Sequence, residues 1–406
     1  MNLAYSAEYE RFRTEVRRFL VEHWSEPGGE RAASLADLTG AHVRTDARAT
    51  AFRLLAIERG YLYRHVPRRY GGSEQPADPL KSAIIADEFR RVRAPYEIMG
   101  QGPSMLVPTL LEHGTETQKE RFLAGLLDGS LGFAFGITEP EHGSDATHME
   151  TRARRDGNGW RIDGEKTWNT GVHTAPYDLI FARTRGHAGD GDGITAFLVP
   201  TDASGFKIEE YLWTFNMPTD HARISLTDVR VPDEAVFGGE GRGLQVVQHF
   251  FNENRIRQAA SSLGAAQYCI DEAVAYAKVR KPFGKPLAAN QAIQFPLVEL
   301  QTQCEMLRAL IHKTAWLMDV EGTFSASDKV SMCNYWANRL CCEAADRAMQ
   351  VHGGLGYSRH RPFEHIYRHH RRYRITEGTE EIQMRRIAGY MFGFMKQRAP
   401  KGVTSD

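Results

Sequence analysis

At 406 residues the chain is too long for one simple core, and two or three domains are the expectation. Lys plus Arg and Asp plus Glu number 51 each, so no global charge favours nucleic acid or an anionic membrane as a partner. Cys269, Cys304, Cys333, Cys341 and Cys342 lack CxxC spacing, and no apolar run is long enough to span a bilayer. This excludes a zinc site, a disulfide framework and a membrane helix, and it suggests reduced core cysteines in a cytoplasmic chain.

Residues 1–130 read as helical. Tyr5, Tyr9, Phe12, Val16 and Phe19 recur at spacings of three and four, an amphipathic helix rather than a signal segment. Pro27 to Glu30 breaks the pattern, Ala49 to Gly60 resumes it, and Tyr70-Gly71-Gly72 is a turn. Helices follow at Leu80 to Arg91, Leu106 to His113 and Thr117 to Leu127, the last with Thr117 as its expected cap. From Leu131 to about residue 240 the character changes. Leu131 to Thr138, Asp178 to Arg183, Ile194 to Pro200, Phe206 to Tyr211 and Ala222 to Val231 read as short strands. Asp156-Gly157-Asn158-Gly159 and Asp163-Gly164 read as hairpin turns, so this segment is expected to be an antiparallel β-barrel or sandwich.

Residues 241–396 return to long helical runs. These are Leu244 to Val279, Asn290 to Glu321 (interrupted at Pro296), Ser325 to Gln350, and Thr379 to Lys396, a helical bundle. Residues 397–406 read as a disordered tail. The fold class is therefore α+β and multidomain, helical domain, β-domain, then bundle. Near its end, Glu377-Gly378 precedes Thr379, a helix cap with acids in the first turn behind it. That places a carboxylate at a glycine turn where a ligand can approach the main chain.

Four stretches in order carry a resemblance to the acyl-CoA dehydrogenase family over nearly the full length. Ile137-Thr138-Glu139-Pro140-Glu141-His142-Gly143-Ser144-Asp145 resembles its TEPxxGSD signature. Gly164 to Gly171, with Lys166, Trp168 and Thr170, is similar to its GxKxW strand. Arg280-Lys281-Pro282-Phe283-Gly284, followed by Leu287 and Gln291, resembles its RxxFG loop. Gln350-Val351-His352-Gly353-Gly354 precedes the Glu377-Gly378-Thr379 of its EGT motif. With no GxGxxG after a strand, a Rossmann mode of dinucleotide binding is not indicated.

The resemblance implies a bundle of four helices and FAD clamped by the β-domain and that bundle. Its expected cofactor contacts are Phe135, Ile137, Thr138, Gly143, Ser144, Trp168, Thr170, Arg280, Phe283, Gln291, Gln350, Gly353, Gly354, Thr379 and Glu381, of which Arg280, Gly353 and Gly354 are expected to reach the FAD of a neighbouring subunit. Thr170 is expected near flavin N5, with Trp168 beside the ring. Glu377 is expected to take the α-proton of an acyl-CoA thioester, its backbone N–H meeting the thioester oxygen. Asn252, Arg255, Ser144, Thr376 and Gly378 are expected at the substrate. The family's other base position falls on Asn254, which cannot accept the proton, and Glu253 should face elsewhere.

Further implications are an electron-transferring flavoprotein as partner, a homotetramer built as a dimer of dimers, and β-oxidation chemistry in the cytoplasm. Thr376, Glu141-His142, Pro282 and Glu381 depart from common family residues, and the acyl group is not specified. A floor is expected over Met99 to Met105, with Phe250, Phe251 and Thr376. The basic run Arg368-His369-His370-Arg371-Arg372, with Arg359 and Arg361, meets CoA phosphates or is a solvated helix face or subunit contact. Two other classes remain open: an oxidase, monooxygenase, desulfinase-like or acyl-carrier-protein-linked enzyme on the same fold, and a non-catalytic nucleic-acid-binding relative.

Overall fold

Helical periodicity and strand alternation divide the chain in space much as they do along the sequence. The computed structural model describes residues 6–24, 47–92, 94–97, 105–215 and 220–395. The expected break at Pro27 to Glu30, the floor residues 99–104 and the tail at 397–406 lie outside the described residues. Contacts group the chain into two compact units, one of Met1–Glu141, Ala146–Leu212 and Asp220–Val246, the other of His142–Asp145, Trp213–Thr219 and Val247–Asp406. The expected boundary after residue 130 falls inside the first unit.

In that first unit the leading helices are α1 (Ala7–His23), α2 (Ala47–Glu58), α3 (Pro79–Arg91), α4 (Val107–His113) and α5 (Glu116–Asp128). Val16, Phe19 and Leu20 are buried, and Phe19 meets Phe52 at 5.6 Å between ring centroids. The cap of α5 is Thr115 rather than Thr117. Thr115 accepts from the Gln118 N–H while the Gln118 side chain reaches back to the Thr115 N–H, a capping box that satisfies two otherwise orphaned donors. Gln118 also donates to the carbonyls of Glu234 and Val236, each at 2.9 Å, which ties α5 to the sheet.

The sheet comprises β1 (Phe133–Gly136), β2 (Arg152–Asp156), β3 (Gly159–Thr170), β4 (Tyr177–Arg183), β5 (Ile194–Pro200), β6 (Phe206–Tyr211), β7 (His221–Pro232) and β8 (Val236–Phe237). Its order is β6-β7-β3-β2-β4-β5-β8, with β1 beside β4. The pairings are antiparallel except β1 with β4 and β2 with β4, which run parallel. Trp160, Ile162, Ile180, Phe197, Ile224 and Val229 form its apolar core. Asp156 pairs with Gly159 across a two-residue turn in which Gly157 takes φ 59°, as the sequence leads one to expect. Asp163-Gly164, by contrast, is no turn. Both lie inside β3, where the register shifts against β7 between Ile162 and Gly164. Glycine is needed here for closeness and not for reversal: at φ 150° an added Cβ would stand 2.6 Å from the Thr151 Cα.

The second unit is built on α6 (Gly243–Val279), α7 (Gln291–Glu321) and α8 (Ser327–His352), followed by the short α9 (Gly354–Tyr357), α10 (Phe363–Arg371) and α11 (Glu380–Met391). Helix α7 runs uninterrupted through Pro296. The proline removes one hydrogen bond, to the carbonyl of exposed Ala292 in the first turn, where water can replace it. Helix α8 starts two residues later than expected and α11 ends at Met391. Leu263, Ile270, Leu300, Leu307, Cys333 and Leu340 lie in the bundle core, and Cys269, Cys304, Cys341 and Cys342 are likewise buried and free. Small residues Ala266, Ala337, Ala344 and Ala348 allow close helix approach. No described helix is long and apolar enough to cross a membrane.

Replacing Gly164 by alanine forces a methyl group onto the Thr151 main chain. The Gly164→Ala variant is expected to lose about 2 kcal/mol or more of stability, read as a lowered urea midpoint. An unchanged midpoint would contradict the close approach.

Candidate active site

Thr379 closes the N-terminus of α11, its hydroxyl accepting from the Ile382 N–H at 3.4 Å. Glu380 in the first turn is gripped by Arg374 Nη2 at 2.7 Å and Arg339 Nε at 3.3 Å. The turn ahead of this anchored helix end is strained. Glu377 sits at φ 58° and Gly378 at φ 95°, and a non-glycine residue held there implies a compensating environment. The compensation is visible. The Glu377 carbonyl accepts from Arg255 Nε at 3.1 Å, from Arg255 Nη2, and from Gln383 Nε2 at 3.1 Å. Gln383 also donates to the Gly378 carbonyl at 2.9 Å.

This arrangement aims the Glu377 side chain at α6. Its Oε1 accepts from Asn254 Nδ2 and from Gln258 Nε2, the latter at 3.0 Å. Its Oε2 is buried and has no hydrogen-bond partner among the described residues. The Glu377 N–H likewise donates to no acceptor among them. Burial pushes the carboxyl pKa up to about 7, against the opposing pull of Arg255, Asn254, Arg372 and Gln258. A carboxyl with one unengaged oxygen and a near-neutral pKa is equipped for proton transfer.

Asn254, where the family's alternative base would stand, thus touches the observed carboxylate. Glu253 faces away and accepts from the Thr323 hydroxyl at 3.1 Å. Asn252 and Arg255, expected at the substrate, are fully buried within the second unit. Asn252 donates to Ser327 Oγ at 3.2 Å and its side-chain Oδ1 accepts from Arg255 Nη1 at 3.4 Å, so it braces the bundle. Arg255 acts on the Glu377 main chain. Burial, reinforced by Arg386, holds its pKa below the ordinary arginine value, yet it stays charged. Thr376 is exposed beside the turn, and Gly378 leaves room that an added Cβ would fill 3.1 Å from Gln383 Nε2.

The basic run, open to CoA phosphates, solvent or a subunit contact on sequence grounds, makes contacts within the second unit. Arg368 pairs with Glu364 and donates to the Phe215 carbonyl. His370 is buried against Ser262 Oγ at 2.8 Å, and His369 lies 3.1 Å from the Tyr373 hydroxyl. Burial keeps both neutral, pushing His369 down to about 3 and His370 to about 4. Arg359 and Arg361 pair with Glu364 and Glu272.

The signature residues of the first unit gather on the sheet. Ile137 is buried, Phe135 packs on Phe181 at 5.2 Å, and the Thr138 carbonyl accepts from the Thr167 N–H at 2.9 Å. Glu139 is buried and accepts from the N–H groups of Glu150 and Thr151 and from Lys166 Nζ at 2.8 Å. These bonds and the ammonium hold its pKa low against burial, so the pair locks the Ile137 to Pro140 segment onto β3. Two residues on, β3 bulges between Lys166 and Asn169. Trp168 occupies the bulge at φ 64° and stays half exposed. The Thr170 hydroxyl beyond it meets His221 Nδ1 at 2.7 Å.

In the second unit Gly143, Ser144, Arg280, Phe283, Gln291, Gln350, Gly353, Gly354 and Glu381 are all exposed. Phe283 also takes a left-handed backbone, at φ 54°. A Cβ built at Gly143, Gly353 or Gly354 meets nothing within 4 Å, so each main chain is open to a ligand. In the second unit the open glycines, the Ser144 hydroxyl and the exposed Arg280 guanidinium fit a phosphorylated ligand, and in the first unit the strained half-exposed Trp168 indole fits an aromatic one. Sequence reading missed Gln258, Asn334, Gln383 and His221. The four-residue step from Asn254 to Gln258 along one helix face was the available signal for the first.

Three family models match: "Acyl-CoA dehydrogenase, N-terminal domain" over residues 6–130, "middle domain" over 134–229 and "C-terminal domain" over 241–392. The caffeyl-CoA reductase-Etf complex subunit CarC of Acetobacterium woodii is 34% identical over 337 residues, 82% of this chain and 87% of the relative. The mitochondrial short-chain specific acyl-CoA dehydrogenase of Bos taurus is 34% identical over 338 residues, 82% of this chain and 80% of the relative. The solved structure of a glutaryl-coenzyme A dehydrogenase with glutaryl-CoA superposes with TM-score 0.80 at 27% identity, covering 100% of each chain.

With its folded pKa raised from 4.5 to about 7, the Glu377 carboxyl contributes stability that is full below 4.5 and lost as pH rises through 7. Gln in its place cannot ionise. Glu377→Gln is expected to gain stability relative to wild type between about pH 5 and pH 8, by about 3 kcal/mol at the top of that window. Urea melts across pH check this, and a pH-independent difference would contradict it.

Proposed function

Since the chain belongs to the acyl-CoA dehydrogenase family, oxidoreductases acting on CH–CH groups, we propose that it desaturates the α,β-bond of an acyl-CoA thioester with Glu377 as base. The observation that carries this is the buried, unpartnered Glu377 Oε2 on a carboxyl titrating near 7. As the α-C–H bond breaks, Oε2 takes the proton. The Glu377 N–H is placed to meet the charge developing on the thioester oxygen. Arg255 and Gln383 keep that peptide from swinging away. Thr376 and Gly378 leave width beside the acyl chain.

FAD, when bound, supplies the acceptor for the hydride leaving the β-carbon. Gly143, Ser144, Trp168 and Thr170 would contribute to holding it, with Gln291 and Gln350, while Arg280, Gly353 and Gly354 would reach the FAD of a neighbouring protomer. Electrons then pass to an electron-transferring flavoprotein, a reading supported by the Etf complex in the CarC relative's name. A cytoplasmic homotetramer completes the proposal. That relative's reductase name also supports a second reading, in which Glu377 returns a proton to an α,β-unsaturated thioester.

Anaerobic titration of the flavin-loaded enzyme with a panel of acyl-CoAs tests both. Bleaching by one thioester class, slowed about 10³-fold in Glu377→Gln with FAD still bound, is the expected result. Equal bleaching in the variant would remove Glu377 as base. Bleaching by no saturated thioester, with reoxidation of the reduced enzyme by a 2-enoyl-CoA, would favour the reductase reading.

A further inference from the structure

The two oxygens of the Glu377 carboxylate are not equivalent. Oε1 accepts from both Asn254 and Gln258, whereas Oε2 is buried and engages nothing among the described residues. Asn254 and Gln258 lie four residues apart on α6, one above the other on the same face. A glutamine amide can be turned either way, and here a third residue decides. Asn334 of α8, 1% exposed, donates its Nδ2 to Gln258 Oε1 at 3.0 Å, and also reaches the Arg255 carbonyl at 3.2 Å. Gln258 must then present its N–H to Glu377. Donation runs one way, from Asn334 through Gln258 to Oε1.

We propose that Asn254 and Gln258, oriented by Asn334, are positioning residues that hold Oε1 as a fixed acceptor and leave Oε2 to take and return the substrate's α-proton. The inference rests on Glu377 being the base. Protonating Oε1 would displace an N–H donor, while protonating Oε2 breaks no hydrogen bond. In the forward step the α-C–H bond breaks, its proton forms an O–H bond on Oε2, and its electron pair stays with the substrate. The two amides also stabilise the anion without adding charge. That matters because Arg255 and Arg372 already face this carboxyl, with Arg386 close behind Arg255. A further cation would depress the base too far to work near neutrality.

The test is a pH titration of the flavin-loaded, substrate-free enzyme by infrared difference spectroscopy. The Glu377 carboxyl band is assigned by its loss in Glu377→Gln. Gln258→Met keeps the volume and removes the donor, and Asn334→Ala removes only the orienting residue. The Glu377 midpoint is expected to rise by about one pH unit in Gln258→Met and by less in Asn334→Ala, with the acid limb of flavin reduction moving in step. Glu377→Gln should remain inactive throughout. A midpoint unmoved in both folded variants would overturn the proposal while leaving Glu377 as base. Flavin reduction undiminished in Glu377→Gln would overturn the base reading itself, and the proposal with it. Should Gln258→Met fail to fold, Asn334→Ala alone decides, by the same midpoint.

Discussion

The site depends on one buried guanidinium that grips the main-chain carbonyl of Glu377 and not its carboxylate. Arg255 lies over the Phe251 ring at 5.2 Å, donates Nη1 to the Asn252 side-chain Oδ1 at 3.4 Å, and spends its remaining fork on the Glu377 carbonyl. A left-handed glutamate costs about 1–3 kcal/mol, and charge-assisted hydrogen bonds of about 1.5–3 kcal/mol each are enough to hold it. The choice of partner decides the chemistry. Had Arg255 paired with the carboxylate, the acid would titrate far below neutrality. Bonded to the carbonyl, it fixes the turn while burial still wins at the side chain.

The first unit uses the same device at another place. The Glu139–Lys166 pair is buried and satisfied by main-chain donors, and it fixes the strand on which Trp168 adopts its strained bulge. In both units a buried charge immobilises backbone, and the functional side chain projects from the segment so held. Removing Glu139 would strand the Lys166 ammonium in the interior.

The family's motifs were legible because they are local: Glu377 at its glycine turn, Thr379 as cap, the Glu139 segment and the order of helices and strands. What was not legible is tertiary. Gln258 and Gln383 meet Glu377 from separate helices and Asn334 reaches Gln258 from a third, and beyond the four-residue step from Asn254 to Gln258 no local pattern distinguishes them from core amides. Asn252, which the family resemblance puts at the substrate, is buried against Ser327 and Arg255, a burial that no single residue on a long helix announces. Gly164 followed a turn's composition yet serves a close strand approach. Pro296 resembled a helix break, and its position near an exposed first turn made the lost bond cheap. The 363–371 helix was hidden by its charge, since Arg368 is neutralised by Glu364 and His370 is buried uncharged.

The most direct measurement is α-hydrogen exchange. A tightly bound acyl-CoA is incubated with the flavin-loaded enzyme in deuterated water, and deuterium at the α-carbon is followed for wild type and Arg255→Lys. Lysine keeps the charge but loses the fork that grips the Glu377 carbonyl. Wild type should exchange the α-hydrogen, and the variant should do so about 100-fold more slowly while staying folded and retaining FAD, with a lowered melting midpoint. Exchange at the wild-type rate in Arg255→Lys would contradict the claim that this main-chain clamp positions the base.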